Sequence, residues 1–338
     1  MRYLKNCWYQ AGWSEELKPD TSLARTIADV PLMFMRDADG GVAALLDRCP
    51  HRFAPLSAGK VADGRVTCGY HGLTFDGSGQ CVHNPHGAVT SAMRVARFTV
   101  VERHLALWIW LGAQELADHA RIPDLSYIDS TPPLARIFGY LPTKANYELL
   151  ADNILDLSHA DYLHPASLGG MMTSAKTANR VEGEEVVVEG DAINCDPPGA
   201  FKAVIPPPLR GDIWIQVRWT APAVMSLATF AAPTGTPRTA SATAVTLHNM
   251  TPETAGTTHY FYCSTRPYLT EDAEFTEFLR GALEVAFSKE DKPMLEKQQA
   301  RIGENDFWSL SPVLLSVDAA AVRARRKLKQ LIEAEATS

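Results

Sequence analysis

Residues 49–51 read Cys-Pro-His and residues 68–71 read Cys-Gly-Tyr-His, with sixteen residues between them. Each short loop supplies one sulfur and one imidazole, whereas the common zinc finger takes both cysteines from a hairpin and both histidines from a helix. A two-iron centre suits that distribution, because two facing loops can give a cysteine pair to one iron and a histidine pair to the other. The competing reading is a structural zinc site or unrelated core residues. Four ligand-competent residues at these offsets, each pair on a turn between β-rich runs, weigh against it.

That ligand set, Cys49, His51, Cys68 and His71, is the Rieske [2Fe–2S] arrangement, in which neutral imidazoles leave the cluster less negative and raise its potential. Around it the chain is punctuated like an antiparallel β domain. LMFMR (32–36), VAALL (42–46), FTVV (98–101) and LALWIWL (105–111) are separated by turns such as DADGG (37–41) and DGSGQ (76–80), the pattern of successive hairpins. His83 and His86, in HNPHG (83–87), lack a third ligand and are assigned no chemistry. Cys81 reads as a small buried hydrophobe.

The 338 residues exceed the roughly 150 of one domain, so two are expected. A composition of 46% hydrophobic and 21% charged residues excludes disorder for the bulk of the chain. A net charge of −7 argues against nucleic acid as a partner. The longest apolar stretch, residues 105–113, falls far short of the roughly 20 residues of a membrane span. The amino terminus, MRYLKNCWYQ, has no secretory h-region, which points to the cytoplasm. Six cysteines are too few for a disulfide scaffold. A Pro- and Ser-rich stretch from Ala120 to Pro133 suggests a crossing between domains at 1–120 and 121–338.

Beyond it, residues 146–163 (NYELLADNILDLSHADYL) read as one helix with a buried face. EVVVE (185–189), IWIQVRW (213–219), ATAVTLH (242–248) and THYFYC (258–263) read as strands. Residues 271–301 and 318–336 return to helix, the first kinked or divided at Pro293. The order is that of an α+β fold with an antiparallel sheet. The 146–163 helix carries Asn153, Asp156, His159 and His164. Asp156 and His159 share a face, which sets the carboxylate beside the imidazole. Pro165 disfavours the α conformation at His164, so the helix ends or distorts there and both rings converge. Two histidines with one carboxylate form the facial triad of non-haem Fe(II) oxygenases, with positions left open for O2. On this helix alone, polar residues on a wet face would be the better account. The cluster upstream reverses those odds.

KNCWY (5–9), CPHRFAPLSAGK (49–60), CGYHGLTFDGSGQ (68–80), VVERHLALWIW (100–110), DNILDLSHADYLH (152–164), TPET (251–254) and EDKPMLEKQQ (290–299) resemble the Rieske non-haem iron oxygenases. Within them, the resemblance is to the oxygenase components of the vanillate O-demethylase and dicamba-monooxygenase-like group. It implies an all-β Rieske domain followed by a helix-grip-like catalytic domain. Asp291 then joins His159 and His164 as the third ligand of a mononuclear Fe(II). Phe287, Met294 and Leu295 would set Asp291 on an apolar stripe if the helix stays regular past Pro293, with Glu290 its nearest competitor. By resemblance, Asp156 links the iron site to the Rieske histidine of a neighbouring subunit in a head-to-tail homotrimer, and Asn153 stands beside the iron.

No dinucleotide fingerprint is found. Electrons from NAD(P)H are therefore expected to arrive through a separate ferredoxin or flavin reductase. The implied reaction uses O2 to oxidise the methyl of a methoxy-substituted aromatic acid; the hemiacetal collapses to a phenol and formaldehyde. Methyl or ring hydroxylation of another small aromatic, such as a methyl-arene sulfonate, is the alternative within the class. A Rieske electron carrier with a degenerate second domain is the alternative outside it. For the substrate, APAVMSLATFAAP (221–233) reads as a core strand before a pocket wall. His248 reads as satisfied within the fold before it reads as an anchor. The basic run 323–329 reads as a solvated helix face before a ferredoxin dock.

Overall fold

The computed structural model describes residues 2–165 and 170–337, with the backbone alone at residue 200. Two compact units divide the chain: Met1–Leu125 with Ala334–Ser338, and Ser126–Glu333.

The first unit is built on strands β1 (Trp8–Trp13), β2 (Ser22–Ile27), β3 (Val30–Arg36), β4 (Val42–Leu46), β5 (Lys60–Ala62), β6 (Arg65–Thr67), β7 (Thr74–Asp76), β8 (Cys81–His83), β9 (Arg97–Arg103) and β10 (Ala106–Trp110). Six form one antiparallel sheet in the order β1-β10-β9-β4-β3-β2, and β5 to β8 form a second sheet in sequence order. β1 and β10 are buried along their whole length, which is why they read as apolar runs without alternation. Met33, Met35, Leu45, Val66 and Phe75 share one core cluster with Cys49 and Cys68.

The two motif loops are conformational copies of each other. In the first, Cys49 N–H donates to Ala54 O at 2.8 Å and Phe53 N–H donates to Cys49 O at 2.9 Å. In the second, Cys68 N–H donates to Leu73 O at 2.8 Å and Gly72 N–H donates to Cys68 O at 3.0 Å. The fifth residue of each loop takes a left-handed backbone, Phe53 at φ 59° and Gly72 at φ 76°. Glycine fills that position without strain and phenylalanine does not.

The second unit contains α1 (Ser126–Ser130), β11 (Arg136–Thr143), α2 (Tyr147–Leu155), α3 (Ala160–Leu163), β12 (Lys176–Glu182), β13 (Glu185–Cys195), β14 (Gly211–Thr220), β15 (Val224–Pro233), β16 (Ala242–Thr254) and β17 (Thr257–Thr265). After β17 come α4 (Ala273–Leu283), a π-helix (Glu284–Asp291), α5 (Lys292–Ile302) and α6 (Ala319–Thr337). Seven strands form one antiparallel sheet, β11-β17-β16-β15-β14-β13-β12. Its two faces are chemically distinct. Ile213, Val217 and Trp219 of β14 are buried, while the alternate Gln216 and Arg218 join Glu182, Glu185, Glu189 and Arg180 in a ladder of ion pairs and hydrogen bonds. Period-2 alternation with one wet face accounts for this. Residues 224–233 are a strand as expected, and Leu227, Thr229 and Ala231 on its inner face also line a cavity.

Three expectations are corrected. The helix over 146–163 is in pieces: α2 ends at Leu155, a 3-10 turn covers Leu157–His159, and α3 follows. A further break falls at Asp156, because the Asp156 carboxylate accepts from Ser158 N–H (2.9 Å) and Ser158 Oγ–H (2.6 Å), capping a new turn in place of continuing the old one, while the helix also ends before His164 as expected. Over 271–301 the irregularity is the π-helix before Pro293, and Pro293 itself sits in the first turn of α5, where a missing N–H costs nothing. Met294 is exposed while Phe287 and Leu295 are buried, so the apolar stripe follows the widened turn. In α6, Arg323, Arg326 and Lys329 are exposed as a solvated face requires, but Arg325 turns inward and is buried against Glu148 and Asp152.

Candidate metal centres

The loops of the first unit bring their donors together as two like pairs. Cys49 and Cys68 are buried in one cluster, and burial first, then Cys68, pushes the Cys49 thiol up. The rings of His51 and His71 are 4.5 Å apart, edge to face. His71 Nδ1 is buried without a hydrogen-bond partner. A buried, unsatisfied imidazole nitrogen is costly unless something binds it. Two sulfurs and two nitrogens, segregated, fit a binuclear cluster with one pair on each iron. Cys81 is buried, with its Sγ 3.3 Å from His83 O, in keeping with a packing role. His86 is less idle than its turn suggests, since its Nε2 is 3.0 Å from His71 O.

In the second unit, ligand atoms of His159, His164 and Asp291 all lie within 4.8 Å of one another. Asp291 Oδ1 is 3.6 Å from His159 Nε2 and 3.2 Å from His164 Nε2. Each ring is held from behind. His159 Nδ1–H donates to the backbone carbonyl of Asp156, and His164 Nδ1–H donates to Glu290 Oε2 at 2.7 Å. Both tautomers thereby leave an Nε2 lone pair facing Asp291, the arrangement a metal-binding imidazole needs. Burial works to lower the His164 pKa, but Asp291 and Glu290 outweigh it and the net shift is upward. A buried pocket that attracts protons between two carboxylates is one that a divalent cation would neutralise.

The π-helix explains how adjacent residues reach one ring. Lys292 N–H bonds to Phe287 O, one residue further back than in an α-helix, and this widened turn is a recurrent device at functional sites. Glu290 and Asp291 consequently grip opposite nitrogens of His164. Asn153, on α2, donates from Nδ2 to Asp291 Oδ1 at 3.1 Å. Asp156 is placed differently from expectation: its backbone carbonyl, not its carboxylate, meets His159.

A cavity of about 200 Å³ opens onto this triad. Its walls are largely apolar, with Ile154, Leu157, Leu227, Leu283 and Phe287 among them, and its polar groups are few, the usual make-up of a small-molecule site. His248 is only half satisfied, in contrast to the reading from sequence. Its Nδ1 is 2.6 Å from Tyr260 Oη, while Nε2 is buried without a partner. Burial lowers the His248 pKa to about 4, so the ring is neutral at physiological pH.

Sequence reasoning missed the holding role of Glu290, the contact of His86 and the second face of His248. Only the acidic pair at 290–291 left a trace in the sequence.

Comparison with known proteins agrees with this geometry. Residues 7–99 match the Rieske [2Fe-2S] domain, and residues 143–334 match the vanillate O-demethylase oxygenase C-terminal domain. The dicamba O-demethylase oxygenase component of Stenotrophomonas maltophilia is 41% identical over 346 residues, covering 99% of this chain and all of the relative. The vanillate O-demethylase oxygenase subunit of Pseudomonas sp. (strain HR199 / DSM 7063) is 33% identical, covering 98% and 95%. The crystal structure of dicamba monooxygenase bound to 3,6-dichlorosalicylic acid superposes with a TM-score of 0.91 at 38% identity over the full length of both chains. Among the described residues no helix is long and apolar enough to cross a membrane. A Rieske cluster domain, an iron-oxygenase domain and full-length likeness to such components converge: this chain belongs to the Rieske non-haem iron oxygenases, as the oxygenase component of a multicomponent system.

Proposed function

We propose that this oxygenase O-demethylates a methoxy-substituted aromatic acid, with the balance ArOCH3 + O2 + 2 electrons + 2 H+ giving ArOH, formaldehyde and water. The observation that carries the reading is the largely apolar cavity ending on His159, His164 and Asp291. Its size admits one substituted ring. The relatives named above, a dicamba and a vanillate O-demethylase oxygenase, support the same chemistry.

In this reading Cys49 and Cys68 hold one iron of the [2Fe–2S] cluster, and His51 and His71 hold the other. His159, His164 and Asp291 hold the mononuclear Fe(II), with Asn153 donating to the carboxylate ligand. Bound ferrous iron supplies the O2-activating chemistry, and three protein ligands leave it open positions. The protein fixes the ligand tautomers through the Asp156 carbonyl and Glu290, keeps bulk water from the apolar walls, and turns the neutral His248 ring toward the cavity. NAD(P)H contributes only through a separate ferredoxin or flavin reductase. A head-to-tail homotrimer would set Asp156 of one subunit beside His71 of the next, and among the described residues Asp156 spends only Oδ1, on Ser158. Six free thiols suit the reducing cytoplasm.

Incubation with a suitable reductase, O2 and a panel of methoxy- and methyl-substituted aromatic acids tests the reaction. Stoichiometric formaldehyde from a methoxyarene is expected; hydroxylated product from methylarenes alone defeats O-demethylation. Three iron atoms per chain are expected, and two in a fully loaded sample would identify an electron carrier.

A further inference from the structure

Arg266 is a buried cation in the cavity wall that forms no salt bridge among the described residues. It follows directly on β17, is 3% exposed and lines the cavity, where no other Arg or Lys does so among the described residues. Its Nη2 donates to Leu269 O at 2.9 Å and to Thr276 Oγ1 at 2.7 Å, and its guanidinium carbon lies 5.1 Å from the Phe275 ring centroid. Nε is buried without a partner. Burial lowers its pKa, with Tyr268 and Asp272 opposing. Asp272 is exposed and spends Oδ1 capping α4 at Phe275 N–H. Arginine keeps its charge even when buried, and an uncompensated buried charge is costly unless a counter-ion arrives.

Register fixes where that charge stands. His248 pairs with Tyr262 across β16 and β17, and Thr246 pairs with Ser264. Residues 262 and 264 therefore present to the same side, and Arg266, one residue past the end of β17, lines the same cavity as Ser264. His248 adjoins Phe287, whose ring centroid is 5.4 Å away, one turn before Asp291. Arg266 lies four residues beyond the His248 row, about 13 Å along the strand direction. Cation and metal triad accordingly occupy opposite ends of the cavity.

We propose that Arg266 is the anion anchor of the cavity: it receives an arene-bound carboxylate or sulfonate, so that the oxidised substituent lies meta or para to the acid group, not ortho. The inference rests on the aromatic-oxidation reading and deepens it by naming the substrate's charge and substitution pattern. The positive charge, which forms no ion pair among the described residues, supplies the attraction for the anion from the cavity wall.

Calorimetric titration of the iron-loaded holoenzyme tests this independently of turnover. The probes are 4-methoxybenzoate, 4-methoxybenzenesulfonate, neutral 4-methoxybenzamide and 2-methoxybenzoate. Wild type is expected to bind the para anions at least about tenfold more tightly than the amide. Arg266→Gln should weaken the para anions roughly 10- to 100-fold and leave the amide nearly unchanged; Arg266→Lys should retain part of the preference. The two anions distinguish carboxylate from sulfonate as the preferred group. Equal binding of acid and amide by wild type, which needs no variant to fold, overturns the proposal. So does a parallel loss of both in Arg266→Gln, the signature of a purely structural arginine, or tighter binding of the ortho acid. Arg266-dependent binding of the para acid without formaldehyde release would defeat O-demethylation and keep the anchor.

Discussion

Glu290 Oε2 stands 2.7 Å from Nδ1 of His164, on the far side of the ring from the triad. A carboxylate behind a ligating imidazole fixes the ring and raises its basicity. Glu290→Ala is expected to lower affinity for the mononuclear iron roughly 10- to 100-fold while the visible spectrum of the Rieske cluster is unchanged. Chelator competition followed by iron counting reads this. Undiminished affinity would show that Glu290 merely tolerates its neighbour.

Asp156 has two separable duties. Its carboxylate caps the 3-10 turn through Ser158, and in the proposed trimer it also meets the neighbouring subunit's cluster. Asp156→Asn keeps an oxygen able to accept from Ser158 N–H and removes the charge. Iron content and melting temperature should hold while turnover drops at least about tenfold. If activity survives unchanged, the carboxylate's charge has no part in linking the sites.

What could be read from the sequence was what is local. Cys49 with His51, and Cys68 with His71, each sit within one turn, so composition and spacing carry the pairing directly. His159 and His164 are five residues apart, and Pro165 signalled that the chain turns there. The broken helix was hidden because Asp156 chooses between continuing α2 and capping on Ser158, a competition among nearly equal hydrogen bonds that periodicity does not register. The third carboxylate, Asp291, is remote in sequence, and only resemblance connected it to the histidines. The π-turn that lets Glu290 and Asp291 both reach His164 has no apolar periodicity of its own. Arg266 was silent for a different reason: a lone arginine after a strand gains meaning only when it proves to be buried in a cavity wall with no ion-pair partner among the described residues.

His248 makes stability depend on acid. Its pKa falls from 6.5 to about 4 through burial, so below pH 6.5 the unfolded chain takes a proton that the folded chain refuses. The contribution is fully present above pH 6.5 and is lost as pH falls toward 4, amounting to about 3 kcal/mol over that window. His248→Asn should flatten this part of the profile. Urea midpoints at pH 7.5 and 4.5, on wild type and variant both stripped of mononuclear iron, decide the matter; parallel losses would place the acid sensitivity elsewhere.

Arg325 ties the last helix to α2 by ion pairs with Glu148 (3.0 Å) and Asp152 (2.7 Å). Burial pushes both carboxyls up, and Arg325 pulls each of them back. The guanidinium therefore prevents two poorly hydrated carboxylates from facing each other alone. Arg325→Met keeps the aliphatic volume, removes the charge and should cost about 3 kcal/mol at pH 7.5. Since the stranded acids can escape by taking up protons, the deficit should narrow as pH falls toward 5. Thermal melts of wild type and variant across that range measure both effects. A deficit independent of pH would assign the loss to packing against Phe307, whose ring centroid lies 4.4 Å from the Arg325 guanidinium carbon, and not to the ion pairs.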